Sequence, residues 1–267
     1  MIFEEILNRE YGIISEKIEK NKESTDGNVY IVTSKHEKYV IKMYDNIKHA
    51  KAMISLHSYL FSSGFNIPQV IISNKSEAYI LSNKKIFVVY SFMKGKHLTL
   101  NKELHKIDDY LISSIAKTLR RLHTLTKSDN SFEIPDIPLR INDEVKRYSI
   151  LHFDLTKGNI FVDMRKVNPV GFIDFDDAKY GPSVCDVAIA IALLFFSKTN
   201  GVDLDGVERF IEEYYGNDIT LKKEEVSVIK PYALKWIDYI LEGNNFDTST
   251  IESFEVKREL IKEQLFL

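Results

Sequence analysis

Hydrophobic periodicity changes once along the chain, near Met93-Lys94-Gly95, and that change constrains the fold class. Before it, apolar residues recur in short runs bounded by turn residues: Tyr11–Lys20, Val29–Thr33, Lys38–Tyr44, Gln69–Ile72, Ala78–Leu81 and Ile86–Phe92. Runs of that kind read as strands. A short opening helix over 2–9 and one prominent helix complete this third. The prominent helix carries Ile47, Ala50, Ile54, His57 and Phe61 and is stopped by Gly64 and Pro68. After the change, Ile107, Leu111, Ile115, Leu119, Leu122 and Leu125 form a helical stripe. Short strand-like runs surround Leu151–Phe153, Ile160–Val162 and Val170–Ile173. From Val184 onward the pattern predicts helices over 184–198, 204–216, 222–242 and 248–265. A small β part followed by a larger helical part is an α+β arrangement. The expected division is 1–92 and 93–267.

The chemistry concentrates in Leu151-His152-Phe153-Asp154-Leu155-Thr156-Lys157-Gly158-Asn159-Ile160-Phe161-Val162, a His-x-Asp-x-x-x-x-Asn pattern between two apolar ends. Gly171-Phe172-Ile173-Asp174-Phe175-Asp176-Asp177 follows shortly after. Phosphoryl transfer needs a carboxylate to orient the attacking hydroxyl and oxygen ligands for Mg²⁺. Asp154 is the candidate for the first task. Asn159 and Asp174 are the candidates for the second. Each residue alone is a common turn former; the ordered set on loops beside short strands carries the reading.

His152-Phe153-Asp154 through Asn159, Ile173-Asp174-Phe175-Asp176, Tyr180-Gly181-Pro182 and Asp186-Val187-Ala188 resemble the aminoglycoside phosphotransferase and choline kinase superfamily. The resemblance is strongest over 151–190 and implies a protein-kinase-like two-lobed fold. Its N-lobe is a small antiparallel β unit and its C-lobe is larger and helical. The implied activity is a small-molecule kinase moving the γ-phosphoryl of ATP or GTP to a hydroxyl group. It implies a catalytic role for Asp154, magnesium binding by Asn159 and Asp174, and support of the catalytic loop by His152 and Asp186. Tyr39-Val40-Ile41-Lys42 resembles the strand whose lysine contacts the α- and β-phosphates. Alternation puts Val40 and Lys42 on one face, where Val40 would roof the adenine. Ser24–Asn28, with Gly27 and Asn28, takes the place of the phosphate-covering turn. Ser91, Phe92 and Met93 take the place of the interlobe hinge, whose backbone groups would read the purine edge.

Two departures bear on function. In the superfamily the strand lysine usually pairs with a glutamate on the next helix, yet no acidic residue lies between Ile47 and Phe61. Met53 stands near its expected place. Either another carboxylate such as Asp45 replaces it, or the pair is absent. The interval from Leu125 to Leu151 is also short, where relatives often carry extra acceptor-shaping helices. The acidic residues Asp203, Asp205, Glu208, Glu212, Glu213, Asp238 and Glu242 are candidates to line a pocket for a polyamine; as a class such residues more often form solvated helix faces. An aminoglycoside-like amino sugar is the leading expectation for the acceptor, with a choline- or homoserine-type metabolite as the alternative. A nucleotide-binding pseudokinase serving as an interaction module is the rival class.

Other classes lack their signals. No G-x-x-x-x-G-K-[ST], G-x-S-x-G or H-E-x-x-H occurs. A protein kinase needs a long activation segment, but Asp186 and an apolar helix follow Asp174 closely, and Asp-Phe-Asp stands where Asp-Phe-Gly would. With 36 Lys and Arg against 39 Asp and Glu, the net charge of −3 argues against nucleic acid as the main partner. Cys185 is the single cysteine, so no internal disulfide forms. Met1–Ile18 lacks the apolar core of a leader, and Val187–Phe196 is too short to span a bilayer. The expectation is a cytoplasmic enzyme with no membrane partner.

Overall fold

The computed structural model describes residues 2–21, 27–100, 105–139, 147–243 and 246–266. The chain forms two compact units, Met1–Lys94 and Gly95–Leu267.

The first unit opens with α1 (Ile2–Ile6), which runs into a wider π turn over Leu7–Tyr11. There follow β1 (Ser15–Lys20), β2 (Val29–Ser34), β3 (Lys38–Tyr44), α2 (Ile47–Ser62), β4 (Ile80–Ser82) and β5 (Lys85–Ser91). The strands make one antiparallel sheet in the order β1-β2-β3-β5-β4. Val32, Ile41, Phe87 and Val89 bury one face of it against Ile6, Leu7, Tyr11 and Ile13. Alternation therefore turns Val40 and Lys42 to the other face. The Asn46 side chain caps α2, accepting the N–H groups of Lys48 at 2.9 Å and His49 at 3.2 Å. Ala50, Met53, Leu56, His57 and Leu60 form the helix's buried stripe. The run expected as a strand over Gln69–Ile72 is an extended strap along β5, held by the bridge Val70↔Tyr90 and by Ile71 N–H to the Val89 carbonyl at 2.8 Å.

The second unit runs β6 (Lys96–His97), α3 (Asp109–Leu125), β7 (Tyr148–Leu151), β8 (Ile160–Val162), β9 (Val170–Phe172), β10 (Lys179–Pro182), α4 (Ser183–Leu194), β11 (Phe196–Ser197), β12 (Gly201–Val202), α5 (Leu204–Tyr215), α6 (Ile219–Gly243) and α7 (Thr248–Gln264). Strands β6, β8 and β9 form one small antiparallel sheet, and β7 pairs with β10. The apolar run seen in the sequence is α4, buried on every side from Ser183 to Ala192. A helix apolar all round belongs in a core. It ends at Leu194 rather than 198, because Phe196 and Ser197 leave it to pair with Gly201 and Val202. Among the described residues no helix is long and apolar enough to cross a membrane.

Candidate active site

Strand β7 ends at Leu151 and β8 begins at Ile160, so the loop between them carries both Asp154 and Asn159. Residues Lys157–Asn159 make a single 3₁₀ turn. The Asn159 amide donates to the Asp154 carbonyl at 2.8 Å and to Asp154 Oδ2 at 2.9 Å. The register Ile160↔Phe172 then brings the end of β9 alongside the loop. Ile173 N–H donates to the Asn159 carbonyl at 3.0 Å. Asp174, the next residue, therefore stands beside Asn159 and Asp154. Its φ of 63° is left-handed, a conformation that aspartate tolerates better than most side chains.

Charge collects at this point. Burial pushes the half-buried Asp154 carboxyl up to about 7, and the negative carboxylates of Asp177 and Asp174 add to the rise, while the Asn159 hydrogen bond opposes it. Among the described residues no group of three or more His, Cys, Asp or Glu converges as a metal site. Magnesium needs less than that, because one or two protein oxygens plus phosphates and waters complete its shell. The hard oxygen donors of Asn159 and Asp174 fit this ion, and a divalent cation would relieve the crowding of carboxylates recorded by Asp154.

The loop is tied down from beneath. Asp186, fully buried in the first turn of α4, accepts the N–H of His152 at 2.7 Å, the N–H of Phe153 at 2.9 Å and His123 Nε2 at 3.1 Å. Burial alone would raise the Asp186 carboxyl. The hydrogen bonds it accepts from His123 Nε2 and the Phe153 N–H bring it below the ordinary range. Phe153 lies at φ 67°, and a bulky residue held there costs about 1–3 kcal/mol. His152 links the two halves of the site: Nε2 donates to the Ile173 carbonyl at 2.9 Å, and Nδ1 accepts the Asp154 N–H at 3.4 Å. Gly181 is needed in β10 for close packing, since a Cβ there would lie 2.9 Å from Ile137 Cγ2.

In the first unit, Val40 and Lys42 share the sheet face opposite Ile41, and Lys42 Nζ lies 6.0 Å from the centre of the Tyr44 ring. Gly27 makes a left-handed turn at φ 61° before β2, and the Asn28 carbonyl accepts the Met43 N–H at 2.9 Å. The rest of the expected phosphate-covering turn, 24–26, lies outside the described residues. Asp45 forms an ion pair with Lys85. Met53 is buried in the apolar stripe of α2. Ser91 N–H donates to the Gln69 carbonyl at 2.8 Å and Phe92 N–H to the Lys38 carbonyl at 3.3 Å. The backbone N–H groups expected to meet a purine at those two positions are thus committed inside this unit, and Met93 lies just beyond the ladder.

Residues 138–216 match the family model described as the phosphotransferase enzyme family. The fold is protein-kinase-like, as the solved structures it superposes on show. A spectinomycin phosphotransferase in complex with ADP and spectinomycin superposes with a TM-score of 0.67 at 16% identity, over 98% of this chain and 96% of that one. An aminoglycoside 2'-phosphotransferase in its GDP complex gives 0.68 at 15% identity, over 98% and 97%. A microcompartment-associated aminopropanol kinase gives 0.69 at 12% identity, over 99% and 97%. No curated protein sequence matches the chain.

Five of the seven acidic candidates for an acceptor pocket lie in ion pairs. Lys106 pairs with Asp203 at 2.7 Å and Asp205 at 3.3 Å, Lys117 with Glu213 at 3.0 Å, Lys222 with Glu212 at 3.8 Å and Arg258 with Asp238 at 2.6 Å. Glu208 and Glu242 are exposed. A cavity beside the β7–β8 loop is lined by Lys106, Lys157, Phe195, Ser197 and Asp203 among others.

Proposed function

We propose that this chain is a small-molecule kinase that transfers the γ-phosphoryl group of ATP or GTP to a hydroxyl of a small acceptor. One observation carries the reading: Asp154 and Asn159, on a loop whose backbone is fixed by Asp186, stand at one end of the β8–β9 pair beside Asp174, which follows β9. Asp154 accepts the hydrogen bond of the acceptor hydroxyl, orients its oxygen and draws on its proton as transfer proceeds. Asn159 holds Asp154 through its amide. Asn159 and Asp174 would hold magnesium, which would offset the charge that develops on the transferred phosphoryl group. Val40 and Lys42 supply the adenine-facing and phosphate-facing side chains of the first unit.

The interval between Asp174 and Asp186 supports a small acceptor. It is filled by β10, which pairs with β7, and by the first turn of α4. That leaves no segment to serve as a peptide-docking activation loop. The names of the structural neighbours, which include spectinomycin, aminoglycoside and aminopropanol kinases, make an amine-bearing alcohol the first acceptor to try, with an amino sugar as its leading form. The test is a transfer screen with magnesium and ATP or GTP against aminoglycosides, macrolides, choline, homoserine, amino alcohols and sugars, read by phosphorus NMR. A phosphorylated small molecule is the expected product. Absence of nucleotide binding at millimolar ATP and GTP, measured by calorimetry, would sink the reading.

A further inference from the structure

Behind Asp186 a line of buried polar groups continues away from the catalytic loop. His123 Nδ1 lies 2.7 Å from the Tyr214 hydroxyl, and Arg147 Nη2 lies 2.8 Å from the same oxygen. Arg147 then meets Glu225 through two bonds, Nε to Oε1 at 3.2 Å and Nη2 to Oε2 at 2.8 Å. The Tyr215 hydroxyl donates to Glu225 Oε2 at 2.9 Å. These residues come from α3, α5, α6 and the segment entering β7.

The ends of the line fix its direction. A guanidinium only donates and an ionised carboxylate only accepts. Arg147 must therefore donate to the Tyr214 oxygen, and His123 Nε2 must carry a proton for Asp186. Tyr214 is left with one hydroxyl hydrogen and gives it to His123 Nδ1. Burial holds the His123 imidazole below its usual range, toward the neutral form. Charge from Asp186 and Glu225 opposes that shift, and Arg147 reinforces it. Each bond polarises the next in the same sense, which strengthens such chains in a low-dielectric interior.

We propose that Tyr214, Arg147 and Glu225 are positioning residues for the catalytic loop, acting on it through the Nε2–H tautomer of His123 and through Asp186. The proposal rests on the kinase reading only in naming Asp154 as the residue positioned. Asp186 meets the loop at the two N–H groups immediately before Asp154, one of them on the strained Phe153. Freedom in His123 would pass to Asp186 and then to the aim of Asp154. A role confined to stability would lower the melting temperature and leave turnover per folded molecule unchanged.

The experiment uses the full chain and Tyr214→Phe. Nitrogen-15 NMR of labelled imidazoles, with His123→Gln for assignment, should show His123 in the wild type as a neutral ring protonated on Nε2. An Nδ1–H tautomer or an imidazolium at neutral pH overturns the proposal whether or not the chain turns over substrate. In Tyr214→Phe, amide exchange at His152 and Phe153 should quicken, and magnesium-ATP or magnesium-GTP hydrolysis should lose about tenfold in kcat with nucleotide KM unchanged, the scale on which outer-shell partners act. Arg147→Lys, which keeps a cationic donor for Tyr214, should retain more kcat than Arg147→Met, which has none. Unchanged exchange at His152 and Phe153 overturns the positioning role even if no hydrolysis occurs, and absent hydrolysis in the wild type counts against the kinase reading alone. If Tyr214→Phe does not fold, the wild-type tautomer decides.

Discussion

Phe153 donates its N–H to Asp186 Oδ1 at 2.9 Å while its own φ is 67°, so a strained backbone and a buried carboxylate hold one another in place. Neither is stable alone. The turn needs an acceptor to offset its strain, and the carboxylate needs donors to offset its burial.

Replacing Asp186 by alanine strands two loop N–H groups and the His123 imidazole in a dry interior. We expect a loss of about 3–5 kcal/mol, the scale for removing one member of a buried charged network. Urea unfolding checks it, with nucleotide hydrolysis followed in parallel. A loss below about 1 kcal/mol, the net value of one ordinary hydrogen bond, would mean that the loop is held by other means.

The two buried histidines should cost stability on mild acidification. His123 and His152 are both fully buried, and burial lowers both imidazoles from their usual range. The unfolded chain then binds protons first as pH drops. The stability they contribute is complete above about pH 6.5, the unfolded value, and is lost as pH falls toward the lower folded values. The steepest slope is about 1.4 kcal/mol per pH unit for each histidine. The lowered Asp186 carboxyl adds loss of the same sign under more acid conditions. Urea midpoints from pH 8 to pH 5 test this, and His123→Gln should make the slope shallower. The raised Asp154 carboxyl works the other way, since the folded state takes up that proton first and gains stability as pH falls through about 7. The test is therefore the difference from His123→Gln, and equal slopes in the two proteins would contradict the burial of a neutral His123.

Much of this was legible in the sequence, for definable reasons. Strands β2, β3 and β5 carry β-branched and aromatic residues in runs long enough to show themselves. Helices α3 and α5 carry clean apolar stripes. Strand β10 escaped because Lys-Tyr-Gly-Pro has no strand pattern of its own and is a strand only through its partner β7. The end of α4 escaped because Phe195 and Phe196 extend the apolar run past Leu194, where the helix stops. Asp154, Asn159 and Asp174 were singled out by their order along the chain, and the fold brings them together. His123, Arg147, Tyr214 and Glu225 lie on separate segments that meet only in the fold. They left faint traces nonetheless. His123 sits on the buried stripe of Ile115, Leu119 and Leu122, and Glu225 shares a stripe with Ile229, Tyr232 and Trp236. A polar residue at a stripe position implies a buried partner.

Lys42→Met should weaken magnesium–nucleotide binding by at least roughly tenfold, as expected for losing a positioned cation on a phosphate. Its cross-strand neighbours Val29 and Val88 accept an apolar side chain. The urea midpoint should therefore barely move. Calorimetry with ATP and GTP is the measurement, and undiminished affinity would remove Lys42 from the phosphate site.

The sharpest comparison is between Asp154→Asn and Asp174→Asn. Both changes keep the size of the side chain and remove one charge. Asparagine tolerates the left-handed backbone at position 174, so the second variant need not strain the fold. Asp154 is assigned to the acceptor hydroxyl, and its loss should fall on the transfer step. Turnover should drop by at least roughly a hundredfold, the scale of a positioned acid–base group, with magnesium–nucleotide affinity nearly intact. Asp174 is assigned to the metal, so its loss should lower turnover and weaken metal-dependent nucleotide binding together. A folding defect would reduce both activities in both variants, and the urea midpoints reveal that case. If the Asp154 variant lost nucleotide while the Asp174 variant kept it, the two roles would be exchanged. If neither variant slowed transfer, the loop between β7 and β8 would not be the catalytic loop.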